Sequence, residues 1–148
     1  MKTYLLLLIL LGLSFQAFSQ NYTQKYNPLM QRTEFFDRYG KLMGYAKQNS
    51  VMNRTEYYDS QGKLVKYEQE NNVLNRTNTY NQYGQQQGYE QENTLLQQRE
   101  RYNTYGQKVE TKKWNELLKQ YDVYDANGNK KGAYKYNTTW QRWEYHKQ

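Results

Sequence analysis

Few side chains in this sequence have the types and spacing that chemistry requires. His146 is the only histidine and stands next to the C-terminal end. A general base needs a fixed geometry, so this residue reads as an exposed cap. After the first twenty residues the only serines are Ser50 and Ser60, with no histidine near them in sequence to activate a nucleophile. The chain has no cysteine, which removes thiol catalysis, cysteine-based zinc sites and disulfides. Asp37, Asp59 and Asp125 recur in one frame, and a row of carboxylates is the oxygen set that Ca²⁺ takes. Asn81 and Asn103 fill the same frame elsewhere, so the row reads as turn-capping residues instead. Carboxylates such as Glu56 and Asp59 could cleave a glycosidic bond only as a pair in different environments. A repeated ladder makes equivalent acids. No catalytic residue, metal site or cofactor is expected.

Two ladders remain. Arg32, Arg54, Arg76 and Arg142 share one frame, and Tyr58, Tyr80, Tyr102 and Tyr124 share another four residues on. Strand alternation puts both on one face. Basic and aromatic rows can grip sugars, an anionic polymer or single-stranded nucleic acid, and an exported protein meets surface glycans more often than nucleic acid, which is not the partner expected. They can equally stabilise the sheet, with Arg stacked on Tyr and paired with Glu. The ligand-binding candidates are therefore Arg32, Arg54, Arg76, Tyr58, Tyr80, Tyr102 and Tyr124.

These ladders exist because the chain repeats every 22 residues without a gap. The copies are 29–50, 51–72, 73–94, 95–116 and 117–138, with a partial capping copy at 139–148. Each opens on two apolar residues, as in Val51-Met52 and Leu95-Leu96. Asp or Asn follows at position nine and Gly at position twelve, namely Gly40, Gly62, Gly84, Gly106 and Gly128. Asp/Asn-x-x-Gly is a type I turn closed by a glycine at positive φ. Asn at position twenty-one suggests a second turn with a left-handed residue there. Segments rich in Tyr, Thr and Val lie between, so each copy is a hairpin. The expected fold is all-β, a single-layer antiparallel meander of about ten strands, twisted or coiled. A three-residue loop predicts Thr55 opposite Tyr67 and Arg54 opposite Glu68, and parity then requires an odd-length second loop.

Residues 1–19 read as a secretory signal: Lys2, an apolar core from Leu5 to Leu13, and Ala17-Phe18-Ser19 before the cleavage point at Ser19/Gln20. The location expected is periplasmic, cell-surface or extracellular, with no membrane span after cleavage. Residues 20–28 form a polar lead-in. The formal charge is +7, or +6 without Lys2. Aliphatics are scarce, and tyrosine, seventeen of its eighteen copies after the signal, supplies the area to be buried.

Arg54-Thr55-x-x-Tyr58-Asp59-x-x-Gly62-Lys63-Leu64 resembles the YD repeat of RHS-type proteins. Gly40-x-x-x-Gly44, Gly84-x-x-x-Gly88 and Gly128-x-x-x-Gly132 are similar to the MORN-type repeats of antitoxin-like bacterial proteins. Both resemblances imply chains of β-hairpins, and neither supplies a catalytic residue. The function expected is a secreted, non-enzymatic binding or scaffold surface for a protein or a surface glycan, with edge-strand pairing as its simplest contact. An antitoxin or immunity role is the alternative that the MORN-type resemblance implies, and a glycan-cleaving enzyme is the third and weakest reading.

Overall fold

The turns set the frame. Asp59 Oδ1 accepts from the amides of Gln61 and Lys63 at 2.9 Å each, and the Gly62 amide donates to the Asp59 carbonyl at 3.1 Å. Gly62 has φ +83°, the left-handed conformation this turn demands. The same bonds recur at Asp37, Asn81, Asn103 and Asp125.

A computed structural model describes residues 22–148. The expected signal and its cleavage point lie outside them. The strands are β1 (Thr23–Asn27), β2 (Arg32–Phe36), β3 (Leu42–Asn49), β4 (Arg54–Asp59), β5 (Leu64–Asn71) and β6 (Arg76–Asn81). There follow β7 (Gln86–Asn93), β8 (Gln98–Asn103), β9 (Lys108–Asn115), β10 (Gln120–Asp125), β11 (Lys130–Asn137) and β12 (Arg142–Lys147). Each pairs antiparallel with its chain neighbours, and β1 pairs with β12.

The sheet is therefore closed, not the open twisted or coiled layer expected, and it has twelve strands rather than about ten. The lead-in supplies β1 and the partial copy supplies β12. Closure pairs every described strand on both sides, so no edge strand is left for a partner.

The second turn also differs from expectation. It has four residues, as between the Asn49↔Arg54 and Asn71↔Arg76 pairs, so its length is even. The left-handed residue is Asn53, at φ 48°, and not Asn49. Asn49 caps instead, its Oδ1 accepting from the Met52 amide at 3.0 Å. A bulge explains the parity and the register. Tyr58 pairs with Leu64 and Tyr57 with Lys66, which leaves Val65 as an extra residue. Thr55 then faces Glu68, and Arg54 faces Gln69. Equivalent register shifts occur in all five hairpins of the repeats. Bulges bend a strand and raise its local twist, and five in the same place curl the sheet toward closure.

One face lines the lumen. Tyr22 and Tyr134 hydroxyls meet at 2.6 Å, and the Tyr121 and Trp143 rings lie 5.6 Å apart, contacts between strands that are not neighbours. From Gln24 to Tyr134 every eleventh residue is a buried lumen side chain, one per strand.

Candidate functional site

The predicted ladders share the outer face, and the structure shows what each member touches. Arg32 lies over the Tyr45 ring at 4.1 Å, and Tyr58 stacks against Tyr45 at 5.0 Å. Arg54 lies over Tyr67 at 4.1 Å, which stacks on Tyr80 at 5.0 Å. Arg76 lies over Tyr89 at 4.2 Å, which stacks on Tyr102 at 4.9 Å. In each set the middle ring is approached from two neighbouring strands. Tyr124 sits opposite Thr111, so the stack ends there.

Acids complete this belt. Glu56 Oε1 accepts from Arg54 Nη2 at 2.6 Å and Asn49 Nδ2 at 3.0 Å, and Oε2 accepts from the Tyr58 hydroxyl at 2.6 Å. Burial opposes ionisation of Glu56, but the bonds from Tyr58, Arg54 and Asn49 outweigh it and hold the carboxyl below its usual range. In return, Glu56 pushes Tyr58 up to about 12, and Glu100 does the same to Tyr102. His146 lies at the end of β12, 3.8 Å from Glu144. The turn carboxylates Asp37, Asp59 and Asp125 are occupied by amides of their own turns.

A second feature lies at one rim. Each four-residue turn projects its two apolar residues into solvent. The first of each pair (Leu29, Val51, Val73, Leu95 and Leu117) is 90–94 % exposed, and the second is 51–56 % exposed. Trp140 stands in the sixth such turn and is exposed as well. The opposite rim carries the Asp/Asn-x-x-Gly turns, with exposed Tyr39, Tyr83 and Tyr105. The apolar pair that opens each repeat is legible in the sequence, but nothing there says that it is a tip and not core.

The lumen is the third feature. One arc is apolar: Val123 and Tyr134 pack with Tyr22, Tyr121, Trp143 and Tyr145, and Phe35, Ala46 and Tyr57 form a second cluster. The other arc, β5 to β9, is charged. Lys66 Nζ lies 3.0 Å from Glu68, Arg99 Nη1 3.5 Å from Glu90, and Arg101 Nη2 3.0 Å from Glu110. Burial pushes Lys66 and Lys112 down and Glu90 up. Arg101 Nε and Nη1 and Thr79 Oγ1 are buried without a hydrogen-bond partner. Sequence reasoning missed this arc because it placed Glu68 opposite Arg54 on the ladder face. The available signal was the spacing of eleven, half the repeat, along which Phe35, Ala46 and Tyr57 give way to Glu68, Thr79, Glu90, Arg101 and Lys112.

No protein-family model matches the chain, and no curated protein is similar to it in sequence. Among solved structures, a protein from Arabidopsis thaliana known from its X-ray structure is similar in fold, with TM-score 0.64 over 86 % of this chain and 79 % of its own, at 10 % identity. That likeness concerns the fold alone.

Proposed function

We propose that the protein is an exported, non-enzymatic binding barrel that seats an apolar face of a protein partner on the crown of its four-residue turns. The observation that carries this reading is the crown: two exposed apolar residues in each of five turns, repeated in one frame around one rim. Exposed apolar side chains gathered at one rim mark an interaction site. Of the two partner classes the sequence suggests, a protein fits better than a glycan. Aliphatic tips offer no polar groups to sugar hydroxyls, while the belt tyrosines already stack on arginine or on each other.

A lipid surface fits less well. The residues flanking the tips are mainly neutral (Ser50 and Asn53, Asn72 and Asn75, Thr94 and Gln97), and Glu116 is balanced by Lys119. Interfacial membrane binding draws on clustered Lys and Arg beside the apolar residues. Nor does the outer face have the apolar band of a lipid-spanning barrel, since Arg54, Glu56 and Gln69 project there.

The test places a photo-crosslinking residue at Leu95 on the crown, at Tyr105 on the opposite rim, or at Gln91 on the belt, in cells exporting the protein. Adducts to one protein species from position 95 alone, lost on adding Val73→Ser and Leu117→Ser, are the expected result. Equal adducts from all three positions, or none from 95, would reject the reading. Adducts to lipid would transfer the crown to a membrane role, and adducts to the same chain would make it a self-association face.

A further inference from the structure

We propose that the rim opposite the crown holds a second binding site, where Tyr83 and Tyr105 stack the sugar rings of an extended, uncharged glycan.

The two rings carry the argument. Tyr83 is 78 % exposed and Tyr105 86 %. Among the described residues, nothing stacks on either ring or bonds to its hydroxyl. Tyr39 shares their turn position but is covered: Arg38 lies over its ring at 4.6 Å and donates to its hydroxyl. The bare rings are also held in place. The Tyr83 amide donates to Asn81 Oδ1 at 2.9 Å, and the Tyr105 amide to Asn103 Oδ1 at 3.0 Å. Their turns are consecutive on the rim, and β7 and β8 pair between them as far as Gly88↔Asn103. A tyrosine gives a large contact area at low entropic cost, and a backbone already fixed lowers that cost further.

The surroundings select the ligand. Asn81 Nδ2 donates to Gln85 Oε1 at 2.8 Å, and Asn103 Nδ2 to Gln107 Oε1 at 2.9 Å. Each bond fixes a carboxamide two residues from the bare ring and leaves its Nε2 without a partner among the described residues. A flat ring beside an amide donor suits a pyranose, whose C–H face packs on the ring while its hydroxyls accept from the amide. Only these two copies combine Asn, Tyr and Gln at positions nine, eleven and thirteen. The copies with Asp at position nine carry Lys41, Lys63 or Asn129 at thirteen. The chain is 24 % charged, yet no charged residue stands between Arg76 and Glu90 or between Arg101 and Lys108. Lys108 itself pairs with Glu100 at 3.6 Å. The site therefore favours an uncharged ligand. The two turns lie two strands apart, about 10 Å. An extended β-linked glycan presents equivalent ring faces on alternate sugars at about that interval, so three sugars are needed to reach both tyrosines.

The test titrates the purified protein, by calorimetry, with β-1,4-linked hexasaccharides of glucose, mannose, xylose and N-acetylglucosamine. Hexagalacturonate is the acidic comparison. At least one neutral hexasaccharide is expected to bind at least tenfold tighter than its own disaccharide and than hexagalacturonate. Tyr83→Ala with Tyr105→Ala is expected to lose at least tenfold, whereas Tyr83→Phe with Tyr105→Phe keeps the affinity. Tyr39→Ala, and Leu95→Ser with Leu117→Ser on the crown, are expected to change nothing. No binding of any neutral hexasaccharide, equal binding of the disaccharide or of hexagalacturonate, or retention by the double alanine variant would overturn the proposal. If that variant fails to fold by circular dichroism, the length and charge comparisons on the unaltered protein still decide it.

Discussion

Glu56 shows how a single residue holds the belt. Its carboxylate is covered by neighbouring side chains and takes bonds from Arg54, Asn49 and Tyr58. Position six of the next copy is Asn78, which keeps a smaller version: Arg76 Nε at 2.9 Å and the Tyr80 hydroxyl at 3.3 Å. Glu56→Gln should therefore fold and lose about 1–2 kcal/mol at pH 7, the range for hydrogen bonds to a charged group at a shallow site. The carboxyl of Glu56 lies below its ordinary 4.5 in the folded protein. Its stabilisation is thus present above pH 4.5 and is lost as pH falls through the lower folded value. Urea unfolding at pH 7 and at pH 3 checks this, since the difference between the two proteins should shrink at pH 3. An equal difference at both would show that the charge is not the source. Tyr58 titrates in the opposite sense. Its pKa is raised from 10.0 to about 12, chiefly by the bond to Glu56, so the stability it adds is complete below pH 10 and lost between 10 and 12. In Tyr58→Phe, alkaline unfolding should begin at lower pH.

At the scale of the element, the hairpin turns were legible and the bulges were not. Asp59-x-x-Gly62 names its own geometry, because few residues accept the φ of +83° at Gly62. The extra residue at Val65 leaves no such mark: Met43, Val65, Gln87, Val109 and Lys131 share the position and have little chemistry in common. The expected register is therefore one residue out, and it puts Glu68 on the ladder face instead of in the lumen. Two glycines separate the two kinds of constraint. A Cβ on Gly62 would meet Tyr45 Oη at 3.6 Å, an ordinary contact, so Gly62→Ala should cost only the left-handed backbone, about 1–2 kcal/mol. A Cβ on Gly88, just past the bulge, would stand 2.3 Å from the Tyr102 carbonyl oxygen. Gly88→Ala must push β7 and β8 apart and should cost about 3 kcal/mol or more. Denaturant midpoints of the two variants check the order. A smaller loss at Gly88 would mean that the strands yield there, as the equivalent position does where it carries Lys66 and Glu110.

For the whole molecule, the repeat predicts neighbours but not closure. Every repeat pairs with the next by rules that the 22-residue frame contains, whereas closure depends on residues outside the five full copies. The seam is formed by β1, from what read as a polar lead-in, and β12, from what read as a cap. It is also the shortest contact in the ring: Thr23↔Glu144 and Gln24↔Trp143, with the Tyr145 amide donating to the Tyr22 carbonyl at 3.2 Å. Other neighbouring strands share four to six paired positions. The seam is thus where the barrel should open first, and opening would expose the backbone donors and acceptors of β1 and β12. Unpaired edges recruit other chains. Deleting residues 22–27 leaves β2 and β12 unpaired and should therefore give concentration-dependent oligomers larger than the parent, seen by light scattering, and should shift the emission of Trp143 as Gln24 leaves its side. A deletion variant that keeps its parent's size and unfolds like it would mean that β2 and β12 pair directly and the ring closes with eleven strands.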